Sequence, residues 1–253
     1  MKPLLTYLAV GYVAYAVIMV AFHPRLIYPF QPDDRVLAGF TRSVLQGSDG
    51  TEISVQERVG AGPVVLYFMG NAGSLAFFEQ AFAAHVAADR HVVAMEYRGG
   101  GGRPGTPSET RLKTDALTVA DYALGFDKPL IVQGFSLGTG LALHVAASRE
   151  VDRVVLTAPY DRLCRLMMAR SWLPACILPF VQRWNAYDMA TEVNVPMLVL
   201  HGAEDALIPP SYSAAFRTLS PVSYELIEGA GHNDIGSFPA HGAAIAAFLE
   251  PLN

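Results

Sequence analysis

A short turn at residues 134–138, which read Gly-Phe-Ser-Leu-Gly, constrains the fold of this chain more than any other feature. Residues 130–133 before it are an apolar run typical of a buried strand, and residues 139–148 behind it are small and apolar, as in a packed helix. A serine with glycines two positions away on each side suits a sharp strand-to-helix turn, because the glycines let the backbone pass close to its neighbours. Such a turn exposes the hydroxyl beside backbone N–H groups at the start of the helix. The pattern therefore predicts that Ser136 is a nucleophile.

Composition and charge narrow the classes of function. The chain has 253 residues, of which 52% are hydrophobic and 16% charged, and its formal net charge is −5. This length suits one large domain, and we find neither a linker nor an internal repeat. Because the chain is acidic and lacks basic runs interleaved with aromatic residues, we do not expect it to bind nucleic acid.

The two cysteines, Cys164 and Cys176, have no partners at metal-ligand spacing. We expect two unlinked thiols in apolar surroundings, while a single disulfide stays open if the domain lies in an oxidising compartment. Neither a metal ion nor an organic cofactor is implied by the sequence.

The start of the chain differs from the rest. Residues 4–22 form a run of 19 residues without a charge, and at about 1.5 Å per residue a helix of that length crosses the roughly 30 Å hydrocarbon core of a bilayer. We therefore predict an uncleaved, single-pass membrane anchor at residues 1–25, followed by a catalytic domain at residues 26–253. A cleavable signal peptide is disfavoured, since its apolar region would be unusually long and residues 20–23 are a poor cleavage site. A core helix would need burial on every face.

The charges that flank the anchor do not decide its orientation. Lys2 and the amino terminus on one side nearly balance Arg25 and Arg35 on the other. The side of the membrane on which the domain lies therefore stays open.

Beyond the anchor, strand and helix patterns alternate. Strands are predicted at residues 43–46, 53–58, 64–68, 91–96, 130–133, 154–157, 196–200 and 223–227. Helices are predicted at residues 74–88, 107–124, 139–148, 211–219 and 239–249, with Ser108 capping the second of them. Near-continuous apolar strands separated by helices indicate an α/β fold, in which a mostly parallel central sheet is covered by helices on both faces. In such sheets the functional groups collect at the carboxyl ends of the strands.

Residues 160–191 interrupt this alternation and are predicted to form a small helical cap insertion over that end of the sheet. The segment carries three large aromatic residues, Trp172, Phe180 and Trp184. Such an insertion usually shapes a substrate pocket. The simpler alternative is that these side chains only pack the insertion onto the domain, and the two roles are compatible.

A serine hydroxyl at its ordinary pKa is a poor nucleophile, so it needs a base and an acid that orients the base. His232 is the predicted base, because it lies in a glycine-rich loop directly after the last strand, where the base belongs when the order along the chain is Ser, acid, His. His201 also ends a strand and could reach the same edge. Asp205, just beyond the penultimate strand, is the predicted acid, and Asp161 is its rival.

An oxyanion site requires two backbone donors. The Leu137 N–H, next to the nucleophile, is the first. The loop at residues 69–74, which follows a predicted strand, is expected to supply the second at Asn71. The alternative is that Gly-Asn-Ala-Gly at residues 70–73 is merely a turn.

Together these motifs resemble the α/β-hydrolases, and among them the membrane-anchored serine hydrolases that include protein depalmitoylases and the acylglycerol or lysophospholipid lipases. The resemblance covers nearly the whole chain, and several motifs in the right order are more specific than any one of them. The matching segments are residues 26–29, 70–73, 97–99, 105–109 and 134–138, His201-Gly202 with Asp205, and residues 231–234. The resemblance implies an α/β-hydrolase fold.

Two positions depart from the usual pattern of that group. Met69 stands where the oxyanion loop usually carries histidine, which leaves the backbone donors in place but changes the loop. Gly100 and Arg103 replace an aromatic residue and a serine in the loop after residues 97–98. The four-glycine run at residues 99–102 is expected to be flexible, so that this loop moves on substrate binding.

The sequence thus predicts a membrane-tethered serine hydrolase that cleaves carboxylic esters or thioesters, with acyl or lipid substrates drawn from the bilayer. Two alternatives stay open: a peptidase or amidase, since the triad does not distinguish amides from esters, and a catalytically silent, membrane-tethered scaffold. The oligomeric state is not specified.

Overall fold

The computed structural model describes residues 2–250. Met1 and residues 251–253 lie outside the described residues, and so do the outer ends of the predicted anchor 1–25 and domain 26–253. The strands are β1 (Thr41–Gln46), β2 (Glu52–Arg58), β3 (Val64–Phe68), β4 (His91–Met95), β5 (Leu130–Phe135), β6 (Arg153–Thr157), β7 (Met197–Gly202) and β8 (Val222–Ile227). The α-helices are α1 (Lys2–Ile27), α2 (Ala83–Ala87), α3 (Glu109–Leu124), α4 (Leu137–Ala146), α5 (Leu163–Ser171), α6 (Ala186–Ala190) and α7 (Pro239–Leu249).

The eight strands form one sheet in the order β1-β2-β4-β3-β5-β6-β7-β8. β2 pairs antiparallel with both β1 and β4, and all the other pairings are parallel. The central strands β3 and β4 are buried along their whole length, which explains their continuous apolar sequences. The predicted α/β fold with a mostly parallel sheet is confirmed.

Successive residues of the central strands enter apolar clusters on opposite faces of the sheet. Ile131 belongs to the cluster that includes Ile245 and Leu249 of α7. Its neighbour Val132 belongs to the other cluster, which contains the buried faces of α3 and α4. This period of two is the ordinary consequence of pleated backbone, and it places helices on both faces.

Two of the predicted helices are 3-10 helices over much of their length. Residues 74–88 form a 3-10 helix at Leu75–Phe82 followed by the short α2, and residues 211–219 form the 3-10 segments Pro210–Tyr212 and Ala214–Thr218. Side chains three apart share one line on a 3-10 helix, which sets Leu75 above Phe78, and both pack against the core. In the second segment the Ser213 N–H donates to the Pro210 carbonyl at 3.1 Å, which is the three-residue spacing of a 3-10 helix.

Helix α1 stands apart from the sheet. Its residues Pro3–Ile27 are long and apolar enough to cross a membrane, and most of its side chains are exposed. The structure therefore does not bury this helix on every face, as a core helix would require.

The predicted cap insertion contains α5 and α6. The expectation of unlinked thiols was wrong, because Cys164 and Cys176 form a disulfide with their Cα atoms 5.0 Å apart. The chain folds back after α5, which brings together two cysteines that show no pairing pattern in the sequence. Trp184 is fully buried and packs the insertion onto the domain, whereas Trp172 and Phe180 are 89% and 90% exposed.

A buried ion pair connects the segment after β4 to α3. The Arg98 guanidinium donates from Nε to Asp115 Oδ2 at 2.6 Å, and both side chains are almost fully buried. The same guanidinium donates to Asp49 in the turn between β1 and β2 at 2.8 Å. Arg98 therefore holds together three segments that are distant in sequence.

Replacing Asp115 by alanine is expected to lower the free energy of unfolding by about 3 kcal/mol, because the Arg98 charge would stay buried without its main partner. Asp121→Ala on the same helix is the matched control. It breaks only the exposed pair with Arg149 and is expected to cost less than about 1 kcal/mol. Urea unfolding of the detergent-solubilised protein, followed by tryptophan fluorescence, measures both, and equal losses would contradict the assignment.

Candidate active site

Ser136 lies at the turn between β5 and α4 in a backbone conformation that non-glycine residues rarely adopt. Its φ and ψ angles are 51° and −118°, which costs on the order of 1–3 kcal/mol. The glycines on either side permit this turn. A Cβ atom at Gly134 would lie 2.5 Å from the Gly138 carbonyl oxygen, and one at Gly138 would lie 2.2 Å from the Phe68 carbonyl oxygen. Larger residues would push the turn away from the sheet.

The three residues predicted as a triad lie together. His232 Nε2 is 2.9 Å from Ser136 Oγ, and His232 Nδ1 is 2.7 Å from Asp205 Oδ2. The rival carboxylate, Asp161, points elsewhere: it accepts from the guanidinium of Arg165 and from the Arg162 N–H. The geometry therefore joins His232 to Asp205.

The surroundings of Asp205 keep its carboxylate ionised. Burial raises the pKa of this group, but hydrogen bonds from His201, His232 and the Ile208 N–H together hold the pKa well below its ordinary value. The Leu207 and Ile208 N–H groups both donate to Oδ1, at 2.9 and 2.7 Å. An ionised Asp205 accepts a hydrogen bond from His232 Nδ1–H, which leaves Nε2 able to accept the Ser136 hydroxyl proton.

His201 lies behind Asp205 and does not contact Ser136. Its Nε2–H donates to the Ile208 carbonyl at 2.7 Å and lies 3.3 Å from Asp205 Oδ2. Its Nδ1 accepts from the Ser213 hydroxyl at 2.7 Å. This histidine is fully buried and holds the loop that carries Asp205 in place. Its position at the end of a strand was the only sequence signal that could have indicated this role.

The predicted oxyanion donors, Asn71 and Leu137, line the same cavity as Ser136. Leu137 is the first residue of α4, so its N–H has no partner within the helix. The loop that carries Asn71 is held by its neighbours. The Tyr97 hydroxyl donates to the Met69 carbonyl at 2.6 Å, and the Gln31 N–H donates to the Ala72 carbonyl at 2.8 Å.

The glycine run at residues 99–102 packs directly against this loop. A Cβ atom at Gly100 would lie 2.4 Å from the Gly73 carbonyl oxygen, and the Gly101 N–H donates to the Gln31 carbonyl at 2.9 Å. The run therefore allows close contact between two loops. That this run moves on substrate binding stays a prediction.

A cavity of about 320 Å³ opens beside Ser136. Its walls come from the loop that carries Asn71, the cap insertion and α1, and they are mostly apolar. Its lining includes Met19, Val20, Leu26, Ile27, Tyr160, Leu163, Leu166, Met167, Leu173, Leu178, Val181 and Ile208. Such a surface suits a flexible hydrocarbon group.

A second cavity, of about 410 Å³, is lined partly by His232. Its lining includes two buried histidines. His85 Nε2 is 2.8 Å from Gln133 Oε1, and His241 Nε2 is 3.0 Å from Thr157 Oγ1. Burial lowers the pKa of each of these histidines to about 4, so both are neutral at pH 7.

The two buried histidines make the stability of the fold depend on pH. In the unfolded chain they bind protons near pH 6.5, whereas in the folded chain they stay neutral until about pH 4. Stability is therefore lost as the pH falls from about 6.5 towards 4, because the unfolded state binds more protons in that range.

Between pH 7 and pH 5 each of these histidines is expected to lower the free energy of unfolding by about 1–2 kcal/mol. His241→Gln replaces one of them by a neutral amide that cannot take up a proton. Urea titrations at both pH values are expected to show a smaller pH effect in this variant, by about 1–2 kcal/mol. The same pH dependence in the variant and the wild type would contradict this linkage.

The fold is shared with known hydrolases. The alpha/beta hydrolase fold family model matches residues 63–175. An uncharacterized protein of Mycobacterium tuberculosis, Rv2307c, is 30% identical over 89% of this chain and 86% of its own length. The lysophosphatidylserine lipase ABHD12 of Danio rerio is 28% identical over 74% of this chain, and the match spans 60% of that lipase.

A solved structure has the same architecture. The esterase Pf2001 of Pyrococcus furiosus superposes with a TM-score of 0.70 at 17% sequence identity, covering 89% of this chain and 98% of the esterase. This chain belongs to the α/β-hydrolase family, and it is a hydrolase enzyme. The resemblance inferred from the motifs is confirmed.

Proposed function

We propose that this protein is a membrane-anchored serine hydrolase that cleaves carboxylic esters or thioesters of acyl lipids. The observation that carries the proposal is the continuous chain of hydrogen-bond distances from Ser136 Oγ through His232 to Asp205, at 2.9 and 2.7 Å. A binding scaffold has no need of such a chain.

Each residue has a defined part in this mechanism. Ser136 Oγ attacks the carbonyl carbon of the substrate while His232 Nε2 takes the hydroxyl proton. The backbone N–H groups of Leu137 and Asn71 stabilise the oxyanion that forms. When the bond to the leaving oxygen or sulfur breaks, His232 returns the proton to it. Water then attacks the acyl-enzyme, and His232 again takes and returns a proton, which releases the carboxylic acid.

The shape of the site supports an acyl substrate. The cavity beside Ser136 is lined mainly by aliphatic side chains, which bind a hydrocarbon chain but offer little to a polar peptide. The lysophosphatidylserine lipase of Danio rerio is named for a lipid substrate, and this relationship also favours an acyl lipid.

Helix α1 supports the assignment to a membrane. Its exposed apolar residues cover a length sufficient to cross a bilayer. A hydrolase that is anchored in this way meets its lipid substrate at the membrane surface or within it.

An activated serine is expected to react with a fluorophosphonate probe. Mass spectrometry of the labelled wild-type protein should place the probe on Ser136, and Ser136→Ala should abolish both labelling and ester hydrolysis while leaving the unfolding transition unchanged. Persistent hydrolysis in the variant would show that another residue is the nucleophile.

The acid is tested by a pair of matched substitutions. Asp205→Asn is expected to lower kcat by about 10⁴-fold, because the amide favours the wrong His232 tautomer. Asp161→Asn, the control, should change kcat less than about tenfold, since Asp161 does not contact His232. Initial rates on a short-chain nitrophenyl ester measure both, and a larger loss in Asp161→Asn would reverse the assignment.

A further inference from the structure

One face of α1 lies along the cap insertion. The hydroxyls of Tyr12 and Tyr15 donate to the carbonyls of Trp172 and Ser171, at 3.1 and 2.9 Å, where α5 ends. Between Tyr12 and Ile27 the helix rises about 22 Å. The insertion therefore accompanies α1 over more than half of its length, and α1 is more than a tether that leads into the domain.

Polar contacts also fasten the carboxyl-terminal half of α1 to the insertion. His23 is buried; its Nδ1–H donates to the Val20 carbonyl at 2.6 Å, and its Nε2 accepts the Gln182 N–H at 3.1 Å. The Tyr28 hydroxyl donates to Gln182 Oε1. These contacts hold the helix at a defined rotation about its axis.

The end of α1 also reaches the oxyanion loop. The side-chain amide of Asn71 donates to the Ile27 carbonyl at 3.3 Å. The ring of Phe30, just beyond the helix, fills the space beside Gly73, where a Cβ atom would lie 2.4 Å from it. The last turn of α1 and the proposed oxyanion donor are therefore mechanically connected.

We infer that α1 is one wall of the acyl-binding cavity, and that Met19 and Val20 limit the length of the acyl chain that reaches Ser136. Both residues line the same cavity as Ser136 and Leu137. They lie on the face of α1 that also carries Tyr12, Tyr15 and His23, as their spacing of three or four residues requires.

This inference rests on the proposed function and adds a route for the substrate. The faces of α1 away from the insertion expose apolar side chains such as Val17 and Ile18. Trp172, which is also exposed, extends this apolar surface onto the insertion, because its carbonyl accepts the Tyr12 hydroxyl of α1. With this surface in lipid, the cavity wall is itself a membrane helix, and an acyl chain passes from the bilayer to Ser136 without crossing water.

The inference predicts that substitutions on one face of α1 alter the acyl-chain preference. Val20→Trp fills the cavity and is expected to lower kcat/KM for a 16-carbon nitrophenyl ester by at least about tenfold relative to a 4-carbon ester. Met19→Ala removes part of the wall and is expected to shift the preference towards longer chains. Val17→Trp is the matched control, because Val17 is exposed and does not line the cavity.

A second readout distinguishes a failure of the proposed hydrolase activity from a failure of the role inferred for α1. Each variant, in detergent micelles, is first tested for fluorophosphonate labelling of Ser136 and hydrolysis of the 4-carbon ester. If the wild type shows neither, the proposed function is wrong and the inference falls with it. If the wild type is active and Val20→Trp, Met19→Ala and Val17→Trp share its chain-length profile, only the role of α1 is wrong.

Cross-linking locates the acyl chain without relying on turnover. A fluorophosphonate with a long alkyl chain that ends in a diazirine is attached to Ser136, irradiated, and mapped by peptide mass spectrometry. Cross-links to the α1 peptide that contains Met19 and Val20 are expected. Cross-links confined to the second cavity, for instance to Phe77 or Ile245, would overturn the inference.

Discussion

The active site depends on the close approach of two backbones at the turn between β5 and α4. Gly138 packs against the Phe68 carbonyl so tightly that a Cβ atom would lie 2.2 Å from it. This contact seats α4 against the end of β3, directly after the strained positive φ angle of Ser136. It also fixes where α4 begins, at Leu137 directly after Ser136. Without it, neither Ser136, the proposed nucleophile, nor Leu137, a proposed oxyanion donor, would have a fixed position.

A second backbone approach joins the loops that carry Asp205 and His232, the proposed acid and base. A Cβ atom at Gly202 would lie 2.4 Å from the Ala230 carbonyl oxygen, so the end of β7 touches the loop after β8. Asp205 and His232 lie just beyond these points. Hydrogen bonds from His201 and two backbone N–H groups then hold the carboxylate ionised and correctly turned. Parallel neighbouring strands thus deliver both side chains to one edge.

The predicted oxyanion loop, residues 69–74, is held by neighbouring segments, and Met69 takes part in this packing. The group that the chain resembles usually has histidine there. In this structure the Met69 side chain packs in the apolar core, and its backbone carbonyl accepts the Tyr97 hydroxyl. Gln31 and Ile27, from the end of α1 and the segment after it, complete the support. The apolar amino-terminal helix therefore helps to hold the candidate active site in its observed geometry.

Local patterns in the sequence were sufficient to predict the strands, the sheet type and the turn at Ser136, and to select the three candidate triad residues. Each depends on side-chain periodicity, on glycine spacing or on position after a strand, all of which short segments determine. Tertiary structure alone decided that Cys164 pairs with Cys176, that Asp205 and not its rival Asp161 meets His232, and that α1 lies along the cap insertion. These depend on contacts between separate segments, such as the one from Tyr15 to Ser171, and a contact across 156 residues leaves no periodic trace in the sequence.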